Sequence, residues 1–213
     1  MIISSWNIRG LNKRYKQNEL KAFFLNLNIT LLGCLETRIN PRSVNKVKIK
    51  FSKDWKKHLV EAISNNKRIW LFWKESMVQV HIHLATPQML HYQVKEKGSN
   101  FSGYITFVYG KNKINERRDL WEQLRQIHSN MQEAWLVIGD FNNVLSVHDQ
   151  LNGQPMHQTE LVEFEDCIRD IGLGQLNRKG CQWSWCNKKD VEDRIYRNID
   201  WAFENASWLT HYK

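Results

Sequence analysis

The sequence predicts an α/β fold, a sandwich of two packed mixed β-sheets with helices on their outer faces. Three observations point there. An apolar strand, an amphipathic helix and a second apolar strand open the chain; a series of period-two segments fills its middle; and helix and strand patterns alternate again to the end. No Gly/Ser/Pro-rich linker, low-complexity stretch or internal repeat interrupts this rhythm, so residues 1–213 read as a single domain.

Met1 to Trp6 is the first buried strand. Leu20, Phe23, Phe24 and Leu27 follow at i, i+3, i+4 and i+7, one face of a helix, and Ile29 to Leu35 returns as a strand. The pattern then becomes strictly alternating: Ile69, Leu71 and Trp73; Val78, Val80, Ile82 and Leu84; Leu90, Tyr92 and Val94; and Tyr104 to Tyr109. Short connections between alternating strands indicate antiparallel pairing. A second helix carries Leu120, Trp121, Leu124 and Ile127 on one face, with Asn115 as its cap. Trp135 to Gly139 is the next strand, Leu161, Phe164, Ile168 and Ile171 mark a third helix, and Gln182 to Trp185 and Ile195 to Phe203 read as closing strands.

Composition narrows the function. A hydrophobic fraction of 42% with ten Trp and three Pro is that of a chain that folds. Lys and Arg outnumber Asp and Glu by 31 to 22, giving a formal charge of +9 and favouring a polyanion as partner. Lys46, Lys48, Lys50, Lys53, Lys56 and Lys57 are the densest basic cluster. Cys34, Cys167, Cys181 and Cys186 form no CxxC pair and no zinc-finger spacing, and are expected to be reduced thiols. The amino terminus has no signal-peptide h-region and no apolar run approaches the ~18 residues of a membrane span, so the protein is expected to be soluble and intracellular.

Polar residues stand where buried strands give way to loops. Asn7 follows Ile2-Ile3-Ser4-Ser5-Trp6, Glu36 follows Leu31 to Leu35, and Asp140 follows Leu136-Val137-Ile138-Gly139. Strand ends hold polar chemistry rigidly, and Mg2+ takes a few carboxylate oxygens together with water and phosphate. Asp140 and Asn142, two apart, share a face if the backbone stays extended. His81 and His83 alternate on a strand but have no nearby Asp, Glu or Cys to complete a metal set, and are read as structural. Tyr109 alone is a strand-end aromatic and Ser184 alone a surface strand residue.

The order of the segments Ser5-Trp6-Asn7-Ile8-Arg9-Gly10-Leu11, Leu35-Glu36-Thr37-Arg38 and Gly139-Asp140-Phe141-Asn142 resembles the endonuclease/exonuclease/phosphatase superfamily, the group containing DNase I and exonuclease III. Trp183-Ser184-Trp185-Cys186-Asn187, Arg194-Ile195, Ile199-Asp200 and Asn205-Ala206-Ser207-Trp208 are similar to the endonuclease domain of plant non-LTR, LINE-type retrotransposons. The resemblance covers nearly the whole chain and implies a four-layer, DNase I-like α/β sandwich. It makes Glu36 the metal carboxylate with Asn7 beside it, and Tyr109, Asn7, Arg9 and Ser184 phosphate or DNA contacts. Asp140 would orient or deprotonate the attacking water, Asn142 would support it, and Asp200 would match the acid that orients the family's histidine. His148 does not match that histidine.

No Ser-Asp-His, the superfamily's closing motif, occurs in the 213 residues. The resemblance therefore implies a domain incomplete at its C-terminus, lacking its last strand, with an open sheet edge prone to self-association. It implies a Mg2+- or Mn2+-dependent DNA endonuclease, weakened or inactive, with the metal weakly bound. DNA is the expected partner, no membrane or specific protein partner is inferred, and the family's setting implies the nucleus. The alternatives are a non-catalytic nucleic-acid-binding remnant and, on the same fold, a phosphatase.

Overall fold

A computed structural model of the chain describes residues 1–39, 54–59 and 69–212. Lys46, Lys48, Lys50 and Lys53 of the basic cluster lie outside the described residues. The chain divides into two compact units, Met1–Tyr109 and Gly110–Lys213.

The first unit begins with β1 (Ile3–Asn7), α1 (Arg14–Asn26) and β2 (Leu31–Leu35), a crossover in which β1 and β2 pair in parallel with Asn7 opposite Leu35. β3 (Trp55–Leu59) and β4 (Trp70–Lys74) extend the sheet antiparallel, in the order β1-β2-β4-β3. Leu20 and Phe24 of α1 pack with Leu32, Cys34, Trp70 and Phe72 on one face of that sheet. Leu27, expected on the same helical face, instead caps the helix and is half exposed. Its backbone leaves the α region one residue too early for its side chain to reach the core.

β5 (Val78–Ala85), β6 (Met89–Glu96) and β7 (Ser102–Tyr109) form an antiparallel meander, with a bulge between Ile82 and Leu84. The other face of β2 meets this second sheet closely. A Cβ on Gly33 would lie 2.5 Å from the Phe107 ring, so glycine is what lets the layers approach there.

The second unit contains α2 (Ile114–His128), β8 (Ala134–Asp140), β9 (Gln150–Leu151), α3 (Gln158–Asp170), β10 (Gly174–Gln175), β11 (Trp185–Cys186), β12 (Tyr196–Arg197), β13 (Asp200–Glu204) and α4 (Ala206–His211). β13 pairs antiparallel with β8 and β10, while β12 pairs with β9 and β11. The expected single strand from Ile195 to Phe203 is thus two strands. Between them Asn198 donates its N–H to Asp149 O and Ile199 accepts from Phe141 N, so the chain changes partners at that point. Trp121, Phe141, Phe164 and Phe203 stack into the core between the helices and β8 and β13, with ring centroids 4.9 to 5.4 Å apart for Trp121–Phe164, Phe141–Phe164 and Phe141–Phe203.

Asn115 is not the cap of α2. Lys113 occupies that position without a side-chain hydrogen bond, and Ile114 is already helical. Asn205 does cap with its side chain: its Oδ1 accepts from Trp208 N on α4 and from Trp135 N on β8, both at 2.9 Å. No helix among the described residues is long and apolar enough to cross a membrane. The four cysteines are free, and burial pushes the Cys34 and Cys167 thiols up, the latter to about 12.

Candidate active site

In the first unit the parallel strands β1 and β2 end together, which brings Asn7, Arg9 and Glu36 into one neighbourhood. The pairing continues past the strands through Ile8 N to Leu35 O (3.1 Å), Gly10 N to Glu36 O (3.0 Å) and Leu11 N to Thr37 O (2.8 Å). Arg9, Glu36 and Arg38 all adopt left-handed backbone, with φ 49°, 53° and 51°. Such conformations are disfavoured for side chains of this size and persist only where surrounding bonds impose them, as these do. Glu36 is 6% exposed. Arg38 Nη2 donates to its Oε1, and Arg9 Nε lies 3.8 Å from its Oε2. Tyr109 closes β7, is buried, and donates its backbone N–H to Gln88 O at 2.7 Å.

In the second unit Asp140, the last residue of β8, is buried and stands opposite Asp200 across the antiparallel ladder. The backbone does not stay extended through Phe141-Asn142. Asn142 turns to φ 49°, and its N–H is taken by Asp140 Oδ1 at 2.9 Å. This Asx turn sends the Asn142 amide away from Asp140, to donate from Nδ2 to Gly110 O at 2.6 Å, so the expectation of two side chains on one extended face is corrected. Gly110 N in turn donates to Asp140 O at 2.8 Å. A Cβ on Gly110 would sit 2.3 Å from Phe141 O, so only glycine permits this approach. Ser184 Oγ accepts from the N–H groups of Ile199 and Asp200, at 3.0 and 3.1 Å, and so fixes the start of β13.

Two arginines that sequence reasoning left unassigned shape these loops. Arg38 is the counter-ion of Glu36. Arg117, 1% exposed, donates from Nη1 to Lys111 O (3.0 Å), Asn112 O (3.1 Å) and Asn142 O (3.0 Å), and from Nη2 to Glu160 Oε1. Arg117 precedes Leu120, Trp121 and Leu124 by three, four and seven residues, so a charge on the apolar stripe of α2 was the signal that could have found it.

The donor chemistry suits a hard cation. Glu36 offers a nearly buried carboxylate beside the strand-end amide of Asn7, and these oxygen-donor types are what Mg2+ accepts along with water and phosphate. Among the described residues no three His, Cys, Asp or Glu side chains gather as a metal cage. His81 and His83 have ring centroids 4.9 Å apart and form with His91 and Tyr104 an aromatic cluster on the β5-β6-β7 sheet.

No protein-family model and no curated protein matches the sequence. Solved structures do. The endonuclease domain of TRAS1, a telomere-specific non-LTR retrotransposon, is similar at 12% identity with a TM-score of 0.71, over 97% of this chain and 85% of that one. D. rerio TDP2 complexed with a single-stranded DNA product matches at 13% identity and TM-score 0.62, over 96% and 83% of the two chains. A mannosyl-6-phosphatase of Bacteroides thetaiotaomicron matches at 11% and 0.63, over 96% and 85%. The α/β architecture and these likenesses show the fold: the chain has the DNase I-like α/β fold that these structures share.

Proposed function

We propose that this chain is a metal-dependent DNA endonuclease domain of non-LTR retrotransposon type. The observation that carries the reading is the buried Glu36 carboxylate at the paired ends of β1 and β2, on a fold shared with the TRAS1 endonuclease domain. The net charge of +9 suits a nucleic-acid backbone, and TDP2, of the same fold, is complexed with a DNA product.

In this reading Glu36 and Asn7 hold Mg2+ or Mn2+, which when bound supplies Lewis-acid polarisation of a phosphate oxygen. Asp140 accepts a proton from the attacking water or orients it. The Asn142 N–H bonded to Asp140 Oδ1 fixes the rotamer of that carboxylate. Tyr109 and Arg9 donate to phosphate oxygens. Ser184 keeps its hydroxyl proton for a phosphate while its oxygen accepts from Ile199 and Asp200. Asp200, opposite Asp140, takes the role of an orienting acid. This reading takes residues 1–213 as one endonuclease domain and the nucleus as its setting.

A second reading, nucleic-acid binding without turnover, is carried by the +9 charge alone, and a third, a phosphatase on the same fold, by the likeness to a mannosyl-6-phosphatase. Two assays separate the readings. Anisotropy of a labelled duplex should show little sequence preference and a fall of about 1,000-fold or more between ~50 and ~200 mM salt if six or more phosphates are neutralised; affinity that survives the titration would remove DNA as the partner. Nicking of supercoiled plasmid should require Mg2+ or Mn2+, whereas release of phosphate from inositol phosphates in place of nicking would assign a phosphatase.

A further inference from the structure

Glu36 is a nearly buried anion covered by two cations that are themselves largely in solvent: the side chains of Arg38 and Arg9 are 65% and 46% exposed against 8% for Glu36. The backbone on both sides of the carboxylate is pinned, by Ile8 N to Leu35 O before it and by Gly10 N to Glu36 O and Leu11 N to Thr37 O at and after it, and Thr37 is fully buried. The guanidinium of Arg38 can therefore leave Glu36 by side-chain rotation alone, with no movement of the loop. Its hydrogen bond is the closer of the two contacts, since Arg9 Nε stays 3.8 Å away.

A carboxylate this buried is costly to leave uncompensated, so some cation must always accompany it. Arginine keeps its charge at any accessible pH, which makes proton loss an unavailable way out. A divalent cation arriving at Glu36 removes the need for Arg38. The freed guanidinium has the planar donor fork that suits a phosphate bidentately.

We propose that Arg38 is a substrate-phosphate ligand that serves as the counter-ion of Glu36 in the metal-free protein and is exchanged onto a phosphodiester oxygen when a divalent cation takes the carboxylate. The proposal rests on the reading of Glu36 as a metal carboxylate. By linkage, metal and DNA then raise one another's affinity, and the coupling runs through Arg38.

The test combines Mn2+ calorimetry on the 213-residue protein with duplex anisotropy, with and without Mn2+, in an Asp140→Asn background that keeps the DNA intact. Arg38→Gln should tighten Mn2+ about five- to tenfold in the absence of DNA, because a competing cation is removed, and should diminish the gain in DNA affinity that Mn2+ confers. A purely structural role would not move these two readouts in opposite directions. Arg38→Lys, which keeps the charge but lacks the fork, should hold Mn2+ affinity within about twofold of wild type and still weaken the coupling. Weaker Mn2+ binding in Arg38→Gln, unchanged metal–DNA coupling, or tightening in Arg38→Lys equal to that in Arg38→Gln would each overturn the proposal. Glu36→Gln separates this from the underlying reading: Mn2+ binding that persists in Glu36→Gln, or that is absent from every variant, refutes Glu36 as the metal carboxylate, whereas Glu36-dependent binding indifferent to Arg38 refutes the exchange alone.

Discussion

Two Arg–Glu pairs, one in each unit, do opposite jobs with the same chemistry. Arg38 and Glu36 are 65% and 8% exposed, Arg117 and Glu160 only 1% and 10%. Among the described residues Arg38 donates to Glu36, and most of its side chain is exposed. Arg117 spends its guanidinium on three carbonyls as well as Glu160, and Asn143 Nδ2 donates to Glu160 O at 3.1 Å. Burial pulls the Arg117 pKa down and Glu160 pushes it back up, so the pair is held together by mutual need. A buried pair whose arginine also holds three carbonyls is a bracket, here for the loop that carries Asn142. An exposed pair over a buried carboxylate is a contact that can be traded.

The largest effect should come from the bracket. Arg117→Ala leaves Glu160 buried without its partner and three carbonyls without a donor, and should cost ~3–5 kcal/mol, or about 10 °C in Tm, by urea and thermal unfolding. The same measurements on Arg38→Gln should give a smaller loss, ~1–2 kcal/mol, because Arg9 remains 3.8 Å from Glu36 Oε2 as a cation for the buried carboxylate. Equal losses for the two variants would break the comparison.

Acid should act on the first unit through His91. Its ring stacks on Tyr104 at 5.2 Å, and its Nδ1 lies 2.8 Å from Thr106 Oγ1. Burial, and then the neighbouring His83, lower its pKa from 6.5 to about 4. Between those values the unfolded chain takes up a proton that the folded chain refuses. The contribution is therefore intact above pH 6.5, is lost progressively as pH falls towards 4, and amounts to at most on the order of 3 kcal/mol. Urea midpoints at pH 7.5 and 4.5 should differ less in His91→Gln, and an unchanged difference would remove His91 as the cause.

A smaller loss is expected at Gly110. Its alanine variant brings a Cβ against Phe141 O, and the loops must separate at a cost of ~1–3 kcal/mol. Because that displaces the acceptor of the Asn142 amide, nicking should fall by more than Tm alone explains. Ser184→Ala should be milder still, about 1–2 kcal/mol, since it strips the N–H groups of Ile199 and Asp200 of one shared acceptor. A Ser184→Ala protein of wild-type stability would mean that water replaces the hydroxyl there.

Much of this was legible along the chain, for physical reasons that also mark the limits. Leu20 and Phe24 reach the core because an i, i+4 pair lies on one helical face whatever it packs against. The β5-β6-β7 meander follows from strict alternation. Ile69, Trp70, Leu71 and Phe72 alternate less informatively, since all four are buried. β3 was missed because Trp55-Lys56-Lys57-His58-Leu59 reads as part of a basic run, and β9 and β10 because two-residue strands carry no period. In the site, strand-end position marked Asn7, Glu36 and Asp140. The partners of these loops are remote in sequence: Arg117 meets Glu160 43 residues on and Asn142 25 residues on. Local pattern does not encode such contacts, and the turn at Asn142 depended on Gly110, 32 residues earlier.

The most direct test of a metal-dependent phosphodiesterase centre is the rate at which supercoiled plasmid is nicked by the 213-residue chain and by its Glu36→Gln and Asp140→Ala variants. Nicking should require Mg2+ or Mn2+, and each substitution should slow it ~100- to 10,000-fold, the usual worth of an acid/base or charge-stabilising group. Nicking that needs no divalent cation, or that survives both substitutions, would contradict the assignment of this centre.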